Sequence, residues 1–275
     1  MKKMLSILGL ATLITLNYII TEETQTVMQE QDQIMQEIKE NIEKTKQQPI
    51  DAQIKQDEII PGINGKEIDI KKTYKELKKI GTYNEKYLKY KEIKPNQTIE
   101  KNYDKYIISG NKQKNTISLI FLVKENDKIE NIINILEKNQ VQATFFIEKN
   151  WLQKNKELTQ KIINQNHTIE PLNKNKNYEI TELTTNNKKQ KYCYAKEKNN
   201  QNIKLCSQNK YYTIKPTVKI NSLKQIKQKI EPGQLIELET NDQTTKELNL
   251  IINYIKTKGY KIETLEKHLS EKNTN

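Results

Sequence analysis

The feature that most constrains the fold is a repeated alternation of strand-like and helix-like segments after Gly110. Residues 117–123, with the sequence ISLIFLV, are almost continuously apolar, which is typical of a parallel strand covered on both faces. Apolar residues then recur at helical spacing from Ile129 to Leu136, and residues 141–147 (VQATFFI) are again strand-like. The pattern predicts a strand–helix–strand unit.

Later segments continue the alternation. Capping boxes formed by Ser222 with Gln225 and by Thr244 with Glu247 predict the starts of two further helices. The second of these helices is predicted to end at Gly259, the residue usual for a left-handed cap. Repeated alternation over this length favours an α/β fold, built as a parallel sheet or a barrel.

The first twenty residues predict export. Lys2 and Lys3 precede an uncharged apolar stretch of about 16 residues, which is short for a membrane span and slightly long for a signal-peptide core. No A-x-A-like cleavage site follows, so residues 1–21 are interpreted as a signal anchor or transmembrane helix, with cleavage and secretion as the alternative. Lysines before the stretch and acids after it predict a single-pass cell-membrane protein whose bulk is extracellular.

The rest of the chain divides into four predicted segments. Residues 22–60 carry ten acids and four lysines and a short apolar stripe, which predicts an acidic helical stalk or a solvated linker. Residues 61–112 are predicted to form a small α+β pre-domain, with one helix ended by Gly81. Residues 113–270 are the predicted main domain, and residues 271–275 are a tail.

Charge narrows the range of partners. The chain has a net charge of +12, and all 47 of its basic residues are lysines. Because residues 22–60 carry −6 and the first two lysines +2, the part from Pro61 onward carries +16. Lysine attracts anions diffusely and lacks the planar fork with which arginine grips phosphate. Export and the absence of arginine therefore argue against nucleic acid and favour anionic envelope polymers or lipid headgroups.

Motifs between residues 116 and 270 occur in the order in which a known family has them. Residues 119–123 (LIFLV) stand where that family has a strand of the type L-T-F-D-D-G-P, and residues 143–146 (ATFF) match its A-T-F-F. Residues 166–173 (NHTIEPLN) stand in place of G-H-E-I-G-N-H-T, and residues 232–239 (PGQLIELE) in place of P-G-x-I-x-L-x-H. The chain thus resembles polysaccharide deacetylases with the NodB homology domain, which implies a distorted β/α barrel.

The resemblance also implies a metal-dependent hydrolysis whose residues this chain lacks. In the family an aspartate and two histidines hold a divalent ion such as zinc, a second aspartate is the general base, and a late histidine is the general acid. Carried over by position, the base falls on Leu122, the metal aspartate on Val123 and the late histidine on Glu239. The two metal histidines fall on Leu172 and Lys176. The sequence therefore predicts a degenerate family member with no catalytic residues at these positions.

No cofactor is expected, because a hydrolytic metal needs about three protein ligands and an open position for water. A relocated site is the alternative, and its candidates are Glu125, Asp127, His167 and Glu170, which the sequence places in loops at strand ends. His167 by itself is interpreted as a buried structural histidine. His268, in the last helical segment, is explained by a favourable position at the carboxyl end of a helix.

Two cysteines, Cys193 and Cys206, are candidates for a disulfide, since export to an oxidising surface permits one. Two free thiols are the alternative. No C-x-x-C redox motif is present.

The leading functional interpretation is a membrane-anchored extracellular pseudo-enzyme that binds cell-envelope glycan or a partner without hydrolysing it. The first alternative is an active peptidoglycan- or chitin-type N-deacetylase with relocated ligands. The second is a structural envelope module that binds anionic wall polymer. If only the ligands were lost, Val123→Asp, Leu172→His and Lys176→His together would recover zinc or cobalt binding.

Overall fold

The computed structural model describes residues 30–172 and 191–273, which belong to two compact units. The smaller unit contains the chain up to Pro49 together with Gly65–Ile93, and the larger contains Ile50–Asn64 together with the chain from Lys94 onward. The predicted anchor, residues 1–21, lies outside the described residues. Within residues 30–172 and 191–273, no helix combines the length and the apolar character needed to cross a bilayer.

Nine α-helices and thirteen strands are found in the described part of the chain. The helices are α1 (Gln33–Thr45), α2 (Ile70–Ile80), α3 (Glu130–Lys138), α4 (Lys149–Lys154), α5 (Lys156–Asn164), α6 (Asn200–Gln208), α7 (Leu223–Lys229), α8 (Asp242–Thr257) and α9 (Leu265–His268). The strands are β1 (Gln53–Lys55), β2 (Glu58–Ile60), β3 (Gly65–Ile68), β4 (Tyr90–Ile93), β5 (Tyr106–Ile107), β6 (Thr116–Val123), β7 (Thr144–Ile147), β8 (Thr168–Pro171), β9 (Tyr192–Tyr194), β10 (Tyr212–Ile214), β11 (Val218–Ile220), β12 (Leu235–Leu238) and β13 (Lys261–Ile262).

The smaller unit packs α1 and α2 with the antiparallel pair β3–β4. Helix α1 buries Ile34 and Ile38, which share a core with Ile68, Leu77 and Leu88. This apolar stripe therefore has a partner within the chain, and residues 33–45 are neither a stalk nor a solvated spacer. The sequence signal for the helix was correct, but its spacing could not reveal what it packs against.

The limits of the units differ from the predicted segment boundaries at 60/61 and 112/113. Strand β2 pairs in parallel with β5, so the predicted stalk and the predicted pre-domain both contribute strands to the larger unit. Backbone hydrogen bonds between Ile50 and Ile63 keep the intervening turn in the same unit. Turn residues such as Pro61 and Gly62 mark changes of direction, and a change of direction need not be a domain boundary.

The larger unit is an α/β fold with two mainly parallel sheets. One sheet has the order β11–β12–β6–β7–β8, with β13 also paired to β6, and the other has the order β1–β2–β5–β10–β9. The two sheets enclose an interior core to which Ile120, Phe146 and Leu235 come from the first and Ile107 and Ile214 from the second. The two sheets thus form an incompletely hydrogen-bonded barrel around this interior core.

Strand β6 divides two cores, as its continuous apolar sequence predicted. Leu119, Phe121 and Val123 point into a core that is shared with helices α3 and α8, and Ile120 points to the barrel interior. Leu122 also packs against the interior core but is only partly buried. Because side chains alternate along a strand, the face on which each β6 residue lies decides which side chains reach the end of the barrel.

The helix signals were right for the ends and less accurate for the starts. Gly81 and Gly259 adopt the left-handed conformation, with φ of 82° and 81°, just after α2 and α8. Helix α8, however, starts earlier than the predicted capping box at Thr244, because the side chain of Asn241 accepts a hydrogen bond from the Thr244 backbone N–H at 2.8 Å. Ser222 precedes α7 but makes no side-chain capping bond.

Candidate functional site

The candidate site lies where the barrel strands end at their carboxyl termini. Leu122 comes from β6, Leu172 follows β8, Tyr194 ends β9 and Glu237 lies in β12. Parallel strands bring such positions to one end of a barrel, which is where barrel enzymes keep their active sites. The site therefore stands where the family resemblance places its chemistry.

The floor of the site is apolar. The partly buried side chains of Leu122, Leu172 and Tyr194 all pack against the interior core, which includes the fully buried Phe146. The rings of Phe146 and Tyr194 are 5.7 Å apart between centroids and tilted by 53°. Neither leucine carries an atom that could ligate a metal or accept a proton, so this floor offers apolar contact only.

One edge of the floor carries a network of linked polar side chains. The Tyr194 hydroxyl donates a hydrogen bond to Glu237 Oε2 at 2.6 Å. Lys219 Nζ lies 3.3 Å from Glu237 Oε1 and 3.0 Å from Glu239 Oε1. Asn241 Nδ2 donates to Glu239 Oε2 at 2.8 Å. This network thus joins a phenol, an ammonium and two carboxylates.

The surroundings of Tyr194 and Lys219 decide the protonation state of each side chain. Burial, and then the bond to Glu237, raise the pKa of Tyr194, so its phenol stays neutral and donates. Hydrogen bonding to Glu239 raises the pKa of Lys219, so its ammonium stays charged between the two carboxylates. Lys219 supplies a positive charge at this edge, but an ammonium cannot polarise a water to hydroxide as a metal ion does.

Val123 does not reach the site. Its side chain is fully buried in the core on the helix side of β6, together with Ile147 of β7. Position 123 therefore differs from position 122 in direction as well as in chemistry. Of the other positions matched to the family, Leu172 and Glu239 lie at the strand ends, and Lys176 lies outside the described residues.

The residues proposed for a relocated metal site each have another role. Glu125 pairs with Lys154, and Asp127 Oδ2 accepts from the Lys124 backbone N–H at 2.8 Å. The buried Glu170 accepts backbone hydrogen bonds at the start of β9, from Lys191 N at 3.1 Å among others. Over residues 30–172 and 191–273, no three or more His, Cys, Asp or Glu side chains come together in a way that could hold a metal ion.

His167 lies at the opposite end of β8 from the site. Its Nδ1 accepts a hydrogen bond from the Ala143 backbone N–H at 3.1 Å, so the proton is on Nε2, 3.1 Å from Gln165 Oε1. Its ring packs edge-on against Phe145. Burial lowers the pKa of His167 to about 4. These contacts are those of a neutral structural histidine.

His268 is also buried and neutral, so its interpretation as a charged partner of a helix end is wrong. Its Nε2 donates to the Gly233 carbonyl at 3.0 Å, which leaves Nδ1 to accept from the Thr116 hydroxyl at 2.7 Å. Burial lowers the pKa of His268 to about 4. A Cβ at Gly110 would lie 2.4 Å from this ring, so the glycine is required for the ring to fit.

Cys193 and Cys206 form a disulfide in the structure, with their Cα atoms 6.4 Å apart. The bond joins β9 to α6 on the side of β9 that faces away from the interior, since Cys193 lies between Tyr192 and Tyr194 in the alternation of the strand. It thereby helps to fix the strand that presents Tyr194 to the site.

Sequence reasoning missed Tyr194, Glu237 and Lys219. The strand pattern contained a signal for Glu237, because an acidic residue interrupts an otherwise apolar strand at residues 235–238. Tyr194 carried no signal by itself, since its role depends on β9 lying across the interior from β12.

The comparisons with known proteins agree with this geometry. A model of the family described as "Polysaccharide deacetylase" matches residues 109–221. The uncharacterized protein YlxY of Bacillus subtilis (strain 168) is 28% identical over 290 residues, which cover 93% of this chain and 90% of YlxY.

Solved structures share the fold. BA3943, a CE4 family pseudoenzyme from Bacillus anthracis, superposes with a TM-score of 0.65 at 24% identity, over 89% of this chain and 97% of that one. A mutant of BA3943 described as having restored enzymatic activity gives 0.66 at 23% identity, over 88% and 100% of the two chains. The Bc1960 peptidoglycan N-acetylglucosamine deacetylase gives 0.53 at 20% identity, over 64% and 97%.

Proposed function

We propose that this chain, whose residues 109–221 match the polysaccharide deacetylase family, binds an N-acetylated cell-envelope glycan without removing its acetyl groups. The observation that carries the proposal is the apolar floor at the strand ends, where Leu122 and Leu172 stand at positions that need a base and a metal ligand. Within residues 30–172 and 191–273, this floor offers apolar contact and neither a base nor a metal ligand with which to activate water.

The floor and its edge suit an acetamido sugar. Leu122 and Leu172 offer apolar surface to an acetyl methyl group, and the Tyr194 ring offers surface to a pyranose. Glu237, Glu239 and Lys219 provide acceptors and a donor at the edge for sugar hydroxyls. A site of this kind, mostly apolar with a few placed polar groups, is typical of small-molecule binding.

Two similar proteins support the absence of hydrolysis and the kind of ligand that we propose. BA3943 is described as a pseudoenzyme, and Bc1960 as a deacetylase of peptidoglycan N-acetylglucosamine. Carried to this chain, these descriptions suggest a fold that persists without the reaction, and a glycan of the cell envelope as ligand. Residues 1–21, by their apolar sequence and preceding lysines, would hold the larger unit outside the membrane or direct its secretion.

The proposal predicts that the full chain prefers an acetylated ligand. N-acetylglucosamine tetramer should bind at least about tenfold more tightly than glucosamine tetramer of the same length, because only the former places methyl groups on the floor. Calorimetric titration measures both affinities. Leu122→Asp should weaken binding of the acetylated tetramer by about tenfold or more.

Leu250→Asp is the matched control, since Leu250 is an exposed leucine on α8 that is 51% accessible. It should leave the affinity within about twofold of the unaltered chain. Equal affinity for the two tetramers would contradict the proposed site, and so would an equal loss of affinity in the Leu122→Asp and Leu250→Asp variants.

A further inference from the structure

The larger unit has a cavity at the amino-terminal ends of its strands, opposite the site described above. Thr116, Tyr192, Tyr212 and Lys261, which line it, are the first residues of β6, β9, β10 and β13. Its volume is about 630 Å³. Because the site described above lies at the carboxyl ends of β6 and β9, this cavity is separate from it.

The floor of this cavity is largely aromatic. Tyr192 and Tyr212 line it with their ring centroids 5.9 Å apart, and Ile99 and Leu269 add aliphatic surface. Tyr103 stacks on Tyr212 at 4.7 Å, and the hydroxyls of these two residues lie 3.4 Å apart. Burial raises the pKa of Tyr212, so its hydroxyl remains a neutral donor and acceptor.

The carboxylates around this cavity all have partners. Those of Glu266 and Glu263 pair with Lys191 at 2.7 Å and Lys267 at 3.6 Å. The carboxylate of Glu271 accepts from the backbone N–H groups of Gly62 and Ile99, and that of Glu100 pairs with Lys94 at 3.7 Å. The acidic groups that line the cavity are therefore already engaged within the chain.

The lysines around the cavity are only partly engaged. Lys114 Nζ donates to the backbone carbonyls of Ser270 and Lys272, which holds the end of the described chain against the cavity. Lys261 and Lys272 are exposed, and among the residues that the structure describes neither ammonium has a hydrogen-bond or ion-pair partner. Two unpaired cations thus stand beside an aromatic floor.

We propose that this cavity binds an anionic saccharide, that is, a sugar ring bearing a carboxylate or a phosphate. Tyr212, which unlike Tyr192 is only partly buried, provides ring surface and a hydroxyl group for the sugar, and Lys261 and Lys272 provide the counter-charge. A neutral sugar would leave these lysines unpaired, and a simple inorganic anion would not use the aromatic floor. The chain then has two separate glycan sites at opposite ends of the same strands.

The test is titration of the full chain with tetragalacturonate, with monophosphorylated maltotetraose and with neutral maltotetraose. At least one anionic oligomer should bind about tenfold more tightly than the neutral one. The affinities of the two anionic oligomers, compared with each other, show whether carboxylate or phosphate is preferred. Lys261→Glu with Lys272→Glu should raise the Kd of that oligomer by about tenfold or more.

Lys204→Glu with Lys246→Glu is the control, because it makes the same change in net charge at two exposed lysines outside the cavity. This pair should change the Kd by less than about threefold, since distant exposed charges are screened by salt. An equal loss of affinity in the two double variants would mean that the oligomer is attracted diffusely by net charge, and would overturn the proposal.

A second measurement does not depend on the variants. Nuclear magnetic resonance shifts in the unaltered chain, on addition of the anionic oligomer, should be largest at Tyr103, Tyr192 and Tyr212. Shifts centred instead on Leu122 and Tyr194, or no binding of either anionic oligomer, would also overturn it.

Discussion

Acidification from pH 7 to about pH 4 is expected to remove about 3 kcal/mol of stability for each of His167 and His268. Burial holds the pKa of both residues at about 4 in the folded chain, against an ordinary value of 6.5. Below pH 6.5 the unfolded chain therefore binds protons that the folded chain does not, and protonation favours unfolding. The stability is fully present above pH 6.5 and is lost as the pH falls towards 4.

Contacts of the two rings explain why protonation is costly. Nδ1 of His167 faces the Ala143 N–H, so a proton there would oppose another donor. His268 is enclosed by Thr116, Gly233 and Gly110, and nearby Lys114 further disfavours a positive charge. Both rings are buried, so neither imidazolium would be well solvated in the folded chain.

Urea unfolding at a series of pH values measures the effect. The double variant His167→Gln, His268→Gln should be less stable at pH 7 but should lose much less stability between pH 6.5 and pH 4. A variant whose stability falls as steeply as that of the unaltered chain would show that carboxylates, and not these histidines, cause the acid sensitivity.

Val123→Asp is expected to destabilise the fold by about 3–5 kcal/mol, because it places an unpaired carboxylate in the core on the helix side of β6. Leu122→Asp is the matched control, since it puts the same group one residue earlier, on a side chain that is partly exposed at the strand end. The control should cost no more than about 2 kcal/mol. Thermal and urea unfolding of the two variants compare these costs directly.

The two variants test whether side-chain direction keeps position 123 from supplying a metal ligand. If direction matters, as the structure indicates, restoring Val123→Asp, Leu172→His and Lys176→His will not recover a metal site, because the aspartate cannot reach the barrel end without a change in β6. From sequence, metal binding was expected to return if only the ligands were lost, and the direction of Val123 argues against that condition. Equal tolerance of aspartate at 122 and 123 would show that the strand end can rearrange, and would reinstate that expectation.

The sequence predicted the larger unit well where its signals are local. The apolar run at residues 117–123 became β6, and the stripe through Leu248, Ile251 and Ile255 became the buried face of α8. The polysaccharide deacetylase resemblance was confirmed for residues 109–221. Periodicity and glycine caps depend on neighbouring residues, so they can be read without the fold.

Features that depend on distant contacts could not be predicted in this way. The stripe of α1 is satisfied by Leu77 and Leu88, which lie far along the chain, and a solvated stalk would show the same spacing. The contact of Tyr194 with Glu237 joins residues 43 positions apart across the barrel interior. The direction of Val123 depends on where β6 ends, which sequence alignment with a motif cannot fix.

The most direct test of the account is to incubate the full chain with zinc and N-acetylglucosamine tetramer, recover the bound oligomer and determine its mass. The account predicts a bound tetramer that keeps all four acetyl groups, because Leu122 and Leu172 supply neither a base nor a metal ligand. Recovery of an oligomer that has lost acetyl groups, with zinc retained by the protein, would contradict it and favour a hydrolytic site with relocated ligands.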